Sequence, residues 1–336
     1  MTVSPVRRRS FLLGGLATAA VLAVPACGSS ASDDASGAVA DGPWSFTDDR
    51  GETVELDTTP RRIVGLGDAV AALWDFGVEP VGTFGVLSIQ DDEQFTGFDL
   101  EGVTEVGTTY GEIDAEKLAA LKPDLIVTHV YPEELGGSVE GVLLYGFKDE
   151  KQIETLSKIA PIVAIEMGGS AKDVVVRNSE LAESLGADLA SESNAEKKKA
   201  FDEAATTLTE ASRSGLSVLA LAGYESEGLY VAQSAADPNL AYFADLGVVY
   251  PDVDDSEYYW DLLSWENADT YQTDIVLYSL RAMDGDALQQ QPTFAELPAA
   301  RAGQVHAWKY EPLSWGKQAA WMTTLAGYLT DDQKVT

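Results

Sequence analysis

Arg62-Ile63-Val64-Gly65-Leu66, the helical stretch Ala69 to Phe76, and Pro80-Val81-Gly82-Thr83-Phe84 together decide the fold. The first run is short, apolar and without polar alternation, which is the signature of a strand covered on both faces. Ala69 to Phe76 is too long for a strand and ends at Gly77, so it reads as a helix. Pro80 to Phe84 is the next strand. The pattern continues downstream. Ala115 to Leu121 is predicted as a helix halted at Lys122-Pro123, and Leu125-Ile126-Val127-Thr128 as a strand. Ile153 to Ile159 is a helix, and Pro161 to Ile165 a further strand. Strands alternating with helices imply a mainly parallel sheet flanked by helices.

A second set begins after Gly215. Leu216 to Leu221 reads as a strand, Asn239 to Leu246 as a helix ended by Gly247, and Thr273 to Leu280 as a strand. Gln304 to Trp308 is a strand and Gly316 to Leu329 a closing helix. Between the two sets, Ser193 and Glu196 form a capping box for a helix running to Arg213. Phe201, Ala204, Ala205, Leu208 and Ala211 give it one apolar stripe. At ~1.5 Å per residue, such a helix from Ala195 spans roughly 28 Å, enough to brace two lobes. The expected fold is therefore α/β: residues 43–192 as one lobe, 193–214 as a single linking helix, and 215–334 as a second lobe. No sustained internal repeat is visible. A ligand is expected in the crevice between lobes, at the carboxyl ends of the strands.

Residues 1–26 read as a signal peptide. Arg7-Arg8-Arg9-Ser10-Phe11-Leu12 precedes a short apolar run that stops at Val24-Pro25-Ala26-Cys27. The arginines resemble a twin-arginine export signal, and the end resembles a lipobox in which Cys27 is lipidated. Cys27 is the only cysteine, so no intramolecular disulfide forms. Residues 27–42, rich in Ser, Ala, Gly and Asp, form a flexible tether. The expected location is the outer face of the cell membrane, held through lipid alone.

The whole chain has 22 basic and 55 acidic residues; removal of 1–26 leaves 19 basic ones and a net charge near −36. That excludes a nucleic-acid ligand, which needs a basic footprint. Two histidines, His129 and His306, cannot make a three-His zinc site. Asp252, Asp254, Asp255 and Glu257 lack the spacing and glycine turn of a calcium loop. There is no Gly-x-Ser-x-Gly elbow, no His-Glu-x-x-His and no P-loop, so an enzyme is not expected.

Three stretches resemble a known family. They are Thr59-Pro60-Arg61-Arg62-Ile63-Val64 with Leu73 to Gly82, Asp114-Ala115-Glu116-Lys117-Leu118 through Ile126, and Leu297 to Val305. In order and spacing they resemble the substrate-binding lipoproteins of ATP-binding-cassette importers for iron–siderophore, haem and cobalamin. The resemblance covers residues 44–330 and implies two α/β lobes joined by one helix. It also implies a monomer that hands its ligand to a permease and its ATPase. Glu116 and Glu266 match the exposed glutamates that such proteins present, one per lobe, to arginines of the permease. The resemblance places Tyr110, Tyr131, Tyr258, Trp260, Arg281, Tyr310 and Trp315 near the ligand.

Aromatic faces give rigid contact area to the apolar skin of a metal chelate, while hydroxyl groups and an arginine supply directed donors. Trp74, Phe76 and Tyr278 read as core; Tyr145 and Phe147 read equally as cleft lip or loop packing. Because the candidate loops offer only Arg281 and Lys309 as cations, a neutral or cationic ferric hydroxamate is expected. No cofactor is expected beyond that Fe(III)–siderophore ligand, whose metal the chelator holds. Haem and cobalamin are the alternatives, and a surface sensor or adhesion lipoprotein is the alternative of another class.

Overall fold

Apolar runs without alternation need cover on both faces, and the two sheets are built that way. The computed structural model describes residues 42–132, 144–253 and 259–336. The predicted signal peptide, the tether up to residue 41, Cys27, Tyr258 and the acids 254, 255 and 257 lie outside the described residues.

An antiparallel hairpin, β1 (Trp44–Thr47) and β2 (Thr53–Leu56), comes first. Trp44 and Phe46 alternate inward from it and are buried. Next come β3 (Ile63–Leu66), α1 (Gly67–Asp75), β4 (Gly82–Phe84), β5 (Thr104–Gly107), α2 (Ala115–Leu121), β6 (Leu125–Val130), α3 (Glu150–Leu156) and β7 (Ile162–Glu166). The sheet order is β5-β4-β3-β6-β7, all parallel. The chain starts at the centre, winds outward one way and then the other, so the switch point lies between β3 and β6. Helix α1 is buried almost all round, Ala69 to Leu73 being at most 1% exposed. It fits closely because Gly65 has no side chain: a Cβ there would sit 2.8 Å from the Val70 side chain of α1 and 2.4 Å from the Val127 carbonyl oxygen of β6.

Two helices follow, α4 (Ala171–Ser184) and α5 (Glu192–Ala211). The second sheet contains β8 (Val218–Tyr224), β9 (Gly228–Ala232), β10 (Trp260–Leu263), β11 (Ile275–Ser279) and β12 (Val305–Trp308), in the order β10-β9-β8-β11-β12. β8, β11 and β12 are parallel, whereas β9 and β10 are antiparallel additions. The tight turn from β8 to β9 accounts for them, since only a hairpin can return that quickly. Helix α6 (Pro238–Asp245) and the short α7 (Gly285–Gln289), α8 (Pro292–Ala295) and α9 (Pro298–Ala302) flank this sheet, and α10 (Trp315–Asp331) closes the chain.

The long helix between the sheets is present, but its cap is Ser191, whose hydroxyl accepts from the Asn194 N–H at 3.3 Å, not Ser193. The reason is Asn194: its buried amide donates to the Phe76 and Asp188 carbonyls, which draws the turn before the helix into the core. α10 packs along α5. Asp75, at the end of α1, joins all three helices. Its carboxylate pairs with Lys197 at 3.0 Å and accepts from the Gly316 N–H at 3.1 Å.

Candidate functional site

Both sheets turn the carboxyl ends of their central strands toward one cavity of about 400 Å³. From the first sheet come Asp68 after β3, Gln94 beyond β4, Tyr131 after β6 and the neighbouring Tyr145. From the second come Tyr224 at the end of β8, Trp260 in β10, Ser279 and Arg281 at the end of β11, and Tyr310 after β12. This is the crevice position expected for open α/β sheets.

Each wall is fixed by local structure. Tyr145 follows Leu144, which bridges Val130 at the end of β6. The Tyr145 N–H donates to the His129 carbonyl at 2.9 Å, and its own carbonyl accepts from the Thr128 hydroxyl at 2.6 Å. Gly146 then takes φ +86°, a left-handed conformation that turns Phe147 back onto Phe84. Of the two residues that read equally as lip or packing, Tyr145 lines the cavity and Phe147 is fully buried. Tyr131 meets Tyr145 edge-on at 5.3 Å. On the opposite wall Tyr259 and Trp260 meet at 4.6 Å, and Trp308 stacks under Tyr310 at 5.0 Å. Asp237 caps α6 by accepting from the Leu240 N–H at 3.0 Å, and it also accepts the Tyr259 hydroxyl at 2.5 Å.

Arg281 crosses from the second sheet to residues of the first. Its Nη2 meets Asp68 at 2.6 Å and Asp92 at 3.0 Å, while its guanidinium lies 4.6 Å over the Tyr310 ring. The Nε–H is buried and has no hydrogen-bond partner among the described residues. Burial alone would raise the Asp68 carboxyl, yet the guanidinium holds it down at about 2. Burial likewise disfavours the Arg281 cation, but the two carboxylates overcome this and raise its pKa. Burial pushes the hydroxyls of Tyr131, Tyr145, Tyr259 and Tyr310 above the ordinary phenol range. All four are therefore neutral donors at physiological pH. Burial also raises the carboxyls of Asp237 and Glu311, the two other acids on the walls. His129, buried at the end of β6, is lowered to about 4 by desolvation and is neutral.

Of the candidate residues, Tyr131, Trp260, Arg281 and Tyr310 line the cavity. Tyr110 stands behind this wall, edge-on to Tyr145 at 5.3 Å. Trp315 begins α10 and is 8% exposed, with its ring edge against Phe76 at 5.1 Å; it belongs to the helix junction around Asp75 and not to the cavity wall. Sequence reasoning missed Asp68, Gln94, Tyr224, Asp237, Ser279 and Glu311. Asp68 had a signal, since it directly follows the first central strand; Asp237 had only a helix-cap signature before Pro238. Nothing in the sequence marked Gln94.

Glu116 and Glu266 are both exposed. Glu116 sits in the first turn of α2, whose cap Asp114 accepts from the N–H groups of Glu116 and Lys117, each at 3.0 Å. Glu266 lies in a single helical turn, Trp265–Asn267, where hydrogen bonds from its own backbone and from Ser264 lower its carboxyl. Among the described residues, no group of three or more His, Cys, Asp or Glu side chains is placed to hold a metal ion.

A family model described as periplasmic binding protein matches residues 77–312. Among solved structures, DesE, a ferric-siderophore receptor protein from Streptomyces coelicolor, is 34% identical with a TM-score of 0.80, over 88% of this chain and 100% of that one. SirA of Staphylococcus aureus, complexed with staphyloferrin B, gives a TM-score of 0.60 at 19% identity over 86% and 99% of the two chains. FhuD of Vibrio cholerae, bound to Fe3+–Desferal, gives 0.59 at 19% over 80% and 98%. At 19% identity the likeness is one of fold alone. No curated protein sequence matches the chain. With the family model spanning most of the folded chain and a receptor one-third identical along its whole length, this chain belongs to the periplasmic binding protein family, in its siderophore, haem and cobalamin class, and is a binding protein, not an enzyme.

Proposed function

We propose that this chain captures a ferric siderophore in the cavity between its sheets, with a neutral or cationic hydroxamate chelate as the preferred ligand. The observation that carries the reading is the chemistry of the wall. Tyr131, Tyr145, Tyr259, Trp260 and Tyr310 offer broad ring faces, while the one guanidinium is already paired with two carboxylates. Rings cover the apolar skin of a chelate, and neutral tyrosine hydroxyls donate to its oxygens. The unpartnered Nε–H of Arg281 suits a carbonyl oxygen of the same ligand, because a buried donor without an acceptor costs about 1–3 kcal/mol. A DesE receptor one-third identical to this chain supports the ferric-siderophore class.

Family membership supports a delivery role, which is part of the same proposal. The ligand passes to an ATP-binding-cassette permease, and Glu116 and Glu266 dock the two lobes onto its arginines. Ion pairs at an exposed rim govern orientation and encounter rate more than affinity. The family works outside the cytoplasm, and among the described residues no helix is long and apolar enough to cross a membrane. Lipid on Cys27 would hold the protein at the outer face.

The test is a titration of the purified chain, followed by tryptophan fluorescence, with a ferric hydroxamate, a ferric catecholate, haem and cobalamin. Trp260 lies on the wall and reports occupancy. Saturable sub-micromolar quenching by the hydroxamate is expected. Binding of haem or cobalamin alone would move the ligand within the class, and binding of none would overturn the capture reading.

A further inference from the structure

The lining of the cavity contains three carboxyl groups, Asp68, Asp237 and Glu311, against the single guanidinium of Arg281. Segments 133–143 and 254–258, outside the described residues, contain neither lysine nor arginine, so they bring no further cation. Arg281 is itself spent: Asp68 takes both Nη atoms, at 2.6 and 3.4 Å, and Asp92 takes Nη2 at 3.0 Å. Asp92 is 7% exposed and lies behind the guanidinium, in the turn that leads into Gln94, without lining the main cavity. Gln94 fixes its orientation by donating from Nε2 to Asp92 at 2.8 Å.

A lone buried arginine facing an organic cavity would attract anions strongly. Two carboxylates on one arginine reverse that and leave the cluster with net charge −1. Other nearby groups do not restore a positive field. His129 is neutral, Lys317 is engaged with the carbonyls of Gln94 and Thr96 at 3.3 and 2.9 Å, and Lys309 stands close to the carboxyls of Glu311 and Glu93.

We infer that Asp68 and Asp92 are specificity-determining residues: by cancelling and inverting the charge of Arg281 they exclude anionic chelates while leaving its Nε–H free for a ligand oxygen. Asp92 acts as a positioning residue through Arg281; Asp68 also faces the ligand. This inference rests on the capture reading but is tested separately from it.

The experiment compares wild type, Asp92→Asn, Asp68→Asn and the double variant. The probes are three ferric chelates of similar size: a tris-hydroxamate of charge +1, a neutral tris-hydroxamate and a tris-catecholate of charge −3. Each neutralised carboxylate should tighten the catecholate on the order of tenfold and weaken the cationic hydroxamate, with the neutral chelate between them. The catecholate affinity gained should fall as salt is added. A merely structural role would weaken all three together, so reversal of the charge order is the diagnostic readout. Asp92→Asn, which leaves the cavity surface intact, carries the test if the Asp68 variants do not fold. An anion-to-cation affinity ratio that moves less than twofold in Asp92→Asn overturns the inference, as does a wild type that already binds the catecholate as tightly as the hydroxamates. A wild type that binds none of the three chelates overturns the capture reading instead. A catecholate gain in the variants would still support the charge filter.

Discussion

Asp274 is the acid whose removal should harm the fold most. It precedes β11, and its side chain is fully buried. One carboxylate oxygen accepts from the Ser217 N–H at 2.9 Å and the Ser217 hydroxyl at 3.0 Å. The other accepts from Val335 N–H at 2.7 Å, and from the N–H and hydroxyl of Thr336, each at 2.9 Å. The group thus joins the start of β8, the start of β11 and the end of the chain. Asp274→Asn keeps the shape but turns one acceptor into an NH2 group that faces donors, so one set of partners is lost. Two charge-assisted bonds at about 1.5–3 kcal/mol each put the cost at about 3–6 kcal/mol. With a urea slope of about 3 kcal/mol per molar, the midpoint should fall by about 1–2 M. Acid gives a second signature. Burial would raise the Asp274 carboxyl, but its hydrogen bonds outweigh this and depress it far below the ordinary range. Its contribution is therefore complete above the unfolded-state value, about 4, and lost as pH falls from there toward the folded-state value. The gap between wild type and variant should be constant from pH 7 to about 5 and shrink below that. A urea midpoint within about 0.2 M of wild type, or a gap that widens in acid, would refute the reasoning.

Gly146→Ala forces a side chain into φ +86° and places its Cβ 3.0 Å from Leu66 and Phe84. It should cost about 1–2 kcal/mol in thermal melts and weaken chelate binding by shifting Tyr145; unchanged affinity would separate that loop from the site. His129 is lowered to about 4 by burial, so native stability should drop by about 3 kcal/mol as pH falls from about 6.5 to 4. His129→Leu should flatten that limb of a urea series, and parallel curves would count against a buried neutral imidazole. Glu116→Lys or Glu266→Lys should leave chelate titrations unchanged and cut cellular uptake at least tenfold; normal uptake by the double variant would remove the docking assignment.

The fold was legible because its strands are short, doubly covered and punctuated. Leu121-Lys122-Pro123 ends α2 where the chain must turn, and Lys122 takes the left-handed φ of 48° that a helix terminus uses. The two motifs most useful for recognising the family also touch: the Arg62 side chain donates to the Leu121 carbonyl, and Asp124 accepts from the N–H groups of Arg61 and Arg62, each at 2.9 Å. β1, β2, β5, β9, β10 and α4 were not legible. β1 and β10 have mixed patterns, and their pairing is set by turns and neighbours. The cavity was half legible. Tyr131 and Arg281 stand where a strand ends, a position the sequence marks. Asp237 and Gln94 depend on how α6 and a loop of the first sheet meet across the cavity, which local pattern does not encode. Trp315 illustrates the opposite error. Its large ring beside a turn looks like a ligand platform, yet it fills the junction of α1, α5 and α10.

One correspondence between the sheets emerges only once their register is known. Asp124-Leu125-Ile126-Val127 leads into β6, and Asp274-Ile275-Val276-Leu277 into β11. In each sheet that strand lies beside the central one, across the switch point, with Ile63 opposite Leu125 and Val218 opposite Ile275. In each, the leading aspartate accepts backbone N–H groups at the entry of the central strand, Arg61 and Arg62 in one case and Ser217 in the other. A carboxylate hooked to that backbone pins the register of two parallel strands at the end remote from the cavity. A one-residue slip would exchange the two packed faces of the strand, so this pin protects the packing of both lobes. The proposed docking glutamates share the same frame, since Glu116 and Glu266 each stand nine positions before the first residue of their strand. The spacing from glutamate to strand is thus the same in both lobes, although Glu116 sits on a capped helix and Glu266 on a single helical turn. The opposite ends of the same strands, free of that constraint, carry the residues that differ between lobes: Tyr131 on one side, Ser279 and Arg281 on the other.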